Sequence, residues 1–129
     1  MRKNPDLALL VLRLILAGIL LSHGYQKLTG WAGAQGFFES LSLPAPKLAL
    51  VFAAVAEVGG GALILIGLWV EIAAILVMID MIGAIVFAVK GAAFDLAQGG
   101  TEVTIFAMAL ALFLAGAGRY GLGRKAAAG

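Results

Sequence analysis

Leu7 to Leu28 reads LALLVLRLILAGILLSHGYQKL, an apolar run that contains an arginine, a histidine and a lysine. Crossing the hydrocarbon core of a bilayer takes about 20 apolar residues, so the run is long enough to span. A charged side chain at that depth costs roughly 2.5–3.5 kcal/mol even on the most lenient scale. Arg13, His23 and Lys27 are therefore expected to face protein rather than lipid. At about 100° per residue, Arg13, Leu20, Gly24 and Lys27 share one face of the helix, with His23 to its side.

Outward from this run the same pattern repeats with acids in place of bases. Stretches at 47–70, 71–89 and 101–118 are continuously apolar apart from Glu57, Asp80 and Glu102 and the acid or base at their starts. Backbone groups in hydrocarbon must pair within their own segment, which makes these runs helices. A transmembrane barrel would need strands of alternating polarity, and none is present. The composition agrees: 63% of residues are hydrophobic and 12% charged, against about 45–50% apolar and about 25% charged in soluble domains. The expected fold is all-α, an antiparallel four-helix transmembrane bundle forming a single integral membrane domain over residues 1–129, with helices at 7–28, 47–70, 71–89 and 101–118.

The connections differ in length. A very short turn at 68–71 forces the second and third helices to be antiparallel neighbours. The other two connections share the opposite side. The first, 29–46, carries Trp31, Phe37, Phe38, Leu41 and Leu43 before Pro44 and Pro46 stop any helix, so it is expected to lie in the membrane interface; Phe94 marks the second in the same way. Basic residues favour both termini in the cytoplasm, with Arg2, Lys3, Arg119, Arg124 and Lys125 on that side against Lys27, Lys47 and Lys90 on the other. The opening Met1-Arg2-Lys3 resembles the start of a signal peptide, but Arg13 interrupts the apolar run, so a retained helix is expected. Ala107, Ala111 and Ala115 form a small-residue ridge and Gly59-Gly60-Gly61 thins the second helix, features that permit close helix approach in lipid.

Several chemistries are excluded. The chain has no cysteine, hence no disulfide, thiolate metal site or cysteine-ligated iron–sulfur cluster. Its single histidine rules out bis-histidine haem ligation within one chain, and neither a metal nor a haem is expected. The basic residues are scattered and flank the spans, so nucleic acid is not an expected partner.

A basic first helix facing acids on the other three predicts pairing. Arg13 is expected to meet Asp80 or Glu57, as a registry clamp or as part of a ligand site. His23, Gln26, Lys27, Glu57 and Glu102, with Lys90 nearby, are expected to form an outer polar cluster enclosed by Trp31 and the two outer loops. Thr101 followed by Glu102 also reads as an N-cap with an acid complementing the helix dipole, while Lys47 and Lys90 read as snorkelling residues.

The blocks LRLILAGILLSHGYQKLTGW (Leu12 to Trp31), GFFESLSLPAP (Gly36 to Pro46), AEVGGGALILIGLWVEIAA (Ala56 to Ala74), GGTEVTIFAMALAL (Gly99 to Leu112) and GAGRYGLGR (Gly116 to Arg124) resemble, in order and spacing, those of the DoxX family of small four-helix membrane proteins. The resemblance implies a four-helix antiparallel bundle and carries over Arg13, His23, Gln26, Lys27, Glu57 and Glu102 as recurrent polar positions. Asp80 departs from it, because family members are more often apolar there. The resemblance also implies an inner-membrane component of a quinone-linked oxidoreductase or oxidative-stress complex. On that reading a quinone or quinol headgroup lies in the polar cluster, and electrons come from a soluble or membrane-bound partner subunit. The alternative is a non-catalytic carrier of a lipid or small solute, or a membrane scaffold for a soluble enzyme; a homo-oligomer suits either.

Overall fold

The computed structural model describes residues 3–89 and 100–123. The chain forms α1 (Pro5–Thr29), a short α2 (Trp31–Glu39), α3 (Pro46–Ile66), α4 (Val70–Gly83), which continues as a π-helix over Ala84–Val89, and α5 (Thr101–Ala115). No strand occurs among the described residues. Lys90 and Phe94 lie outside those residues, as do Arg2, Arg124 and Lys125. Three helices, Pro5–Thr29, Pro46–Ile66 and Val70–Ala88, are long and apolar enough to cross a membrane, and Thr101–Ala115 is a shorter apolar helix.

Local chemistry sets the boundaries. Asn4 caps α1 by accepting a hydrogen bond from the Leu7 N–H at 3.0 Å, and Pro5 occupies the first turn, where its missing N–H costs nothing. Pro46 opens α3 in the same manner. The first outer connection is the helix α2, followed by a loop in which Ser42 takes a left-handed φ of 60°. Thr101 is the first helical residue of α5 and not its cap. Gly100 holds the N-cap position without a side-chain bond, and the Thr104 hydroxyl donates to the Gly100 carbonyl at 2.8 Å.

α1 packs on α3 and α5, α3 on α4, and α4 on α5, closing a helical bundle around Leu16, Leu20, Ile64, Val77, Ile105 and Leu112, all fully buried. Glycines set how closely the helices approach. A Cβ on Gly24 of α1 would lie 2.4 Å from a Val58 methyl of α3, and one on Gly60 would lie 3.1 Å from a Val77 methyl of α4. Gly61 faces Leu20 and Leu21 of α1 at similar range, whereas Gly59 faces open space. The alanine ridge expected in α5 lies elsewhere: Ala107, Ala111 and Ala115 are exposed, and α5 buries Ile105, Ala109 and Leu112. Large apolar side chains such as Val11, Ile15, Val55, Ile72 and Ile79 cover the outside of the bundle, as a lipid environment requires.

Arg13 pairs with neither Asp80 nor Glu57. Its guanidinium, 1% exposed, donates from Nε to the Ile64 carbonyl at 2.9 Å, from Nη2 to the Leu65 carbonyl at 2.8 Å and from Nη1 to the Ala117 carbonyl at 3.3 Å. The physical reason is the end of α3. The last carbonyls of a helix lack intrahelical donors and carry the negative end of its dipole, so a buried cation is well placed there. The remaining carbonyls are also satisfied. Leu63 accepts from the Gly67 and Leu68 N–H groups, Ile66 accepts from Leu122, and Gly67 accepts from Gly123.

The glycine-rich segment after α5 thus serves to close the end of α3. Gly67, at φ 75°, ends α3 in the left-handed region; a Cβ there would stand 2.3 Å from the Gly121 Cα and 2.6 Å from Arg13 Nη2. Asp6 ties the same segment to α1 by accepting from the Arg119 backbone N–H at 2.9 Å.

Arg13→Met is expected to orphan the Ile64 and Leu65 carbonyls and to destabilise the bundle by about 2–6 kcal/mol, one to three for each carbonyl. Arg13→Lys is expected to recover less than half of that loss, because an ammonium lacks the planar fork that meets both carbonyls. Unfolding in mixed detergent micelles, followed by circular dichroism, checks both.

Candidate ligand cavity

The end of the bundle opposite the Arg13 clasp holds a half-open cavity of about 470 Å³. Six of the seven polar residues singled out in the sequence line it: His23, Gln26 and Lys27 from α1, Glu57 from α3, Asp80 from α4 and Glu102 from α5. Arg13 is the one that does not. Each helix contributes at the level where it passes the cavity: the C-terminal half of α1, the first half and middle of α3, the later part of α4 and the start of α5.

The centre of the polar wall is an ion pair. Lys27 Nζ lies 2.7 Å from Glu57 Oε1, and the two side chains are 20% and 3% exposed. Gly24, one turn before Lys27, lets α1 approach α3 closely enough for a lysine near the helix end to reach an acid in mid-span. Asp80 sits against Glu57 and within electrostatic reach of Lys27, so one ammonium faces two carboxyl groups. The Oδ2 atom of Asp80 is buried without a hydrogen-bond partner. His23 and Glu102, half-buried, and Gln26, exposed, also line the cavity.

The remaining walls are apolar and largely aromatic. α2 and the loop after it cover the cavity with Phe37, Phe38, Leu41 and Leu43, the two phenyl rings meeting edge to face with centroids 6.1 Å apart. Phe52 of α3 and Phe87 of the π-helix complete the enclosure. Trp31 is not part of it, although the sequence suggested that it would be; it begins α2, and residues later in that helix make the cover. The π-helical turn itself lines the cavity through Ala84, Phe87 and Ala88, a location typical of such turns, which recur at functional sites. Nothing in the sequence marks this turn, since its residues, AIVFAV, suit a regular helix equally well. No group of three or more His, Cys, Asp or Glu side chains arranged to hold a metal ion occurs among the described residues.

Chemically, the arrangement is an amphiphilic site. Charged and hydrogen-bonding groups share its lining with phenyl rings, suited to a flat or short-chained molecule that carries polar substituents.

These features define a small helical membrane protein with a polar cavity at one end of its bundle. The DoxX family model matches residues 8–90, and the chain belongs to that family. Among its relatives, the protein named "Putative oxidoreductase CatD" of Bacillus subtilis (strain 168) is 38% identical over 86 residues, covering 67% of this chain and 63% of that protein. "Inner membrane protein YqjF" of Escherichia coli (strain K12) is 37% identical over 67 residues, covering 52% of this chain and 50% of that protein. The chain thus aligns with between half and two thirds of the length of these relatives. No solved structure matches it.

Lys27→Met is expected to leave Glu57 as an uncompensated buried acid and to cost about 3–5 kcal/mol. The double variant Lys27→Met/Glu57→Leu is expected to be more stable than Lys27→Met alone. A double-mutant cycle measured by unfolding in micelles reads the coupling; additive losses would contradict the pair.

Proposed function

We propose that this protein is a membrane component of a quinone-linked oxidoreductase and that its cavity receives the headgroup of a quinone or quinol. The observation that carries the reading is the convergence of His23, Gln26, Lys27, Glu57, Asp80 and Glu102 on one half-open cavity with phenyl rings in its lining. Ionisable residues within membrane spans mark pathways and ligand sites, and a quinone ring needs both flat apolar surfaces and polar groups at its oxygens. The name of the Bacillus subtilis relative points to redox chemistry, and that of the Escherichia coli relative to the inner membrane.

Interconversion of quinone and hydroquinone moves two electrons and two protons. On this reading the chain handles the protons. His23 and Glu102 line the cavity and exchange protons with the ligand oxygens, while the Lys27–Glu57 pair fixes the field in which they do so. The electrons pass to or from a redox-active partner, because a chain without cysteine brings no thiol or iron–sulfur couple of its own. On this reading both termini are cytoplasmic, the orientation that the excess of basic residues at one end favours, and the cavity lies towards the opposite face.

Binding of decyl-ubiquinone to the purified protein in lipid nanodiscs tests the proposal. Saturable binding is expected, weakened about 2- to 10-fold in His23→Ala, which corresponds to the loss of one hydrogen bond, with the unfolding midpoint unchanged. Saturable binding of phospholipid analogues but not of decyl-ubiquinone would favour a lipid carrier instead. Native mass spectrometry of the protein extracted with its lipids is expected to show a co-purifying quinone or a stoichiometric second subunit.

A further inference from the structure

We infer that the hydrocarbon tail of the cavity's ligand lies along the lipid-facing side of α1, in a shallow groove over Gly18 and Ser22 that joins the cavity at His23 and Gln26. The inference rests on the quinone-headgroup reading above and adds where the tail runs and from which side the molecule enters.

Two hollows in the surface share residues. His23 and Gln26 line the cavity, and they also line an open groove on α1 together with Leu14, Ile15, Gly18 and Ser22. Gly18 and Ser22 are exposed and lie four residues apart on one side of the helix. A Cβ on Gly18 would meet nothing within 4 Å, so the groove there is open space. Leu14 and Ile15, about half exposed, make its far end apolar. Because α1 is long and apolar enough to cross a membrane, this outer side meets lipid, and the groove connects the bilayer with the cavity.

The direction of the groove selects its occupant. Gln26 stands near the C-terminal end of α1 and Leu14 near its middle. At a rise of about 1.5 Å per residue the two are about 18 Å apart along the axis, more than half of a hydrocarbon core about 30 Å thick. The groove therefore runs from a polar end, level with one face of the membrane, towards the midplane. An amphiphile in a bilayer has the same orientation, headgroup at the surface and chain pointing inward. A quinone with its ring against His23 and Gln26 and its chain over Gly18 passes between lipid and cavity by a sideways shift, without turning over. A chain pointing the other way would leave the hydrocarbon for water, at the cost of exposing its apolar surface. Lipid is as apolar as the groove, so what the groove adds is close packing against the chain, a modest gain confined to ligands that carry one.

The test measures binding of decyl-ubiquinone, and of the same ring without a side chain, to the full chain in nanodiscs, with protein-free nanodiscs as the reference for partition into lipid. Gly18→Leu fills the groove at a position with open space around it and replaces a mid-helix glycine by a better helix former, so the fold is kept. It is expected to weaken decyl-ubiquinone binding about 3- to 10-fold, through the lost packing of the chain, and to change binding of the tail-less ring by less than about twofold. Ala107→Leu, on the exposed side of α5, is expected to change neither. A decyl-ubiquinone carrying a photoreactive diazirine at the end of its tail is expected to label α1 between Leu14 and Ser22. Unchanged decyl-ubiquinone binding in Gly18→Leu, an equal loss for both quinones, or labelling confined to other helices would overturn the inference and leave the headgroup reading standing. Absence of saturable binding of either quinone to the unaltered protein would overturn both.

Discussion

Inside an apolar bundle no water is at hand to satisfy a polar group, so each must find its partner within the chain, and this constraint organises the protein into two polar knots. At one end, Arg13 and the segment after α5 supply donors to the final carbonyls of α3. At the other, Lys27 and Glu57 pair across the α1–α3 interface, with Asp80 alongside. Leu16, Leu20 and Ile64 fill the space between, so the two knots hold the same helix pair from both ends. The first knot leaves little unsatisfied. The second is bordered by a cavity and retains an oxygen without a partner, which is why function is assigned to it and architecture to the other.

The sequence was most legible where polar residues phase a helix. Arg13, Leu20 and Gly24 share a face because the charged position fixes which side of α1 turns inward, and all three are buried. The convergence of His23, Gln26, Lys27, Glu57 and Glu102 followed from the same reasoning applied to each span, whereas Asp80, expected as a partner of Arg13, lines the same cavity instead. Where no polar residue sets the phase, the reading failed. α5 is apolar all round after its first turn, so spacing alone suggested that Ala107, Ala111 and Ala115 face a neighbour, and they face outward instead.

The partners of Arg13 were illegible for another reason. Acids stand out in a sequence, whereas backbone carbonyls are present at every residue and become strong acceptors only where a helix ends. That end depends on the left-handed Gly67, three residues earlier than hydropathy placed it, because Leu68, Trp69 and Val70 prolong the apolar run through the turn. The same clasp explains GAGRYGLGR. Gly116 and Gly118 adopt positive φ, and Gly121 admits the close approach of Gly67, so the glycines shape a cap over a helix end and not a phosphate-binding loop.

Membership of the DoxX family accounts for the bundle, while fold alone leaves the chemistry open. Within the cavity, Asp80 is a second acid placed beside the Lys27–Glu57 ion pair. Oppositely charged side chains from separate helices meet at this cavity. The most direct test is a solid-state NMR measurement of dipolar coupling between lysine ¹⁵Nζ and glutamate ¹³Cδ in lipid bilayers. Strong dephasing, abolished by Lys27→Met, is the result expected of an Nζ–Oε1 contact of 2.7 Å; no dephasing in the unaltered protein would contradict the account.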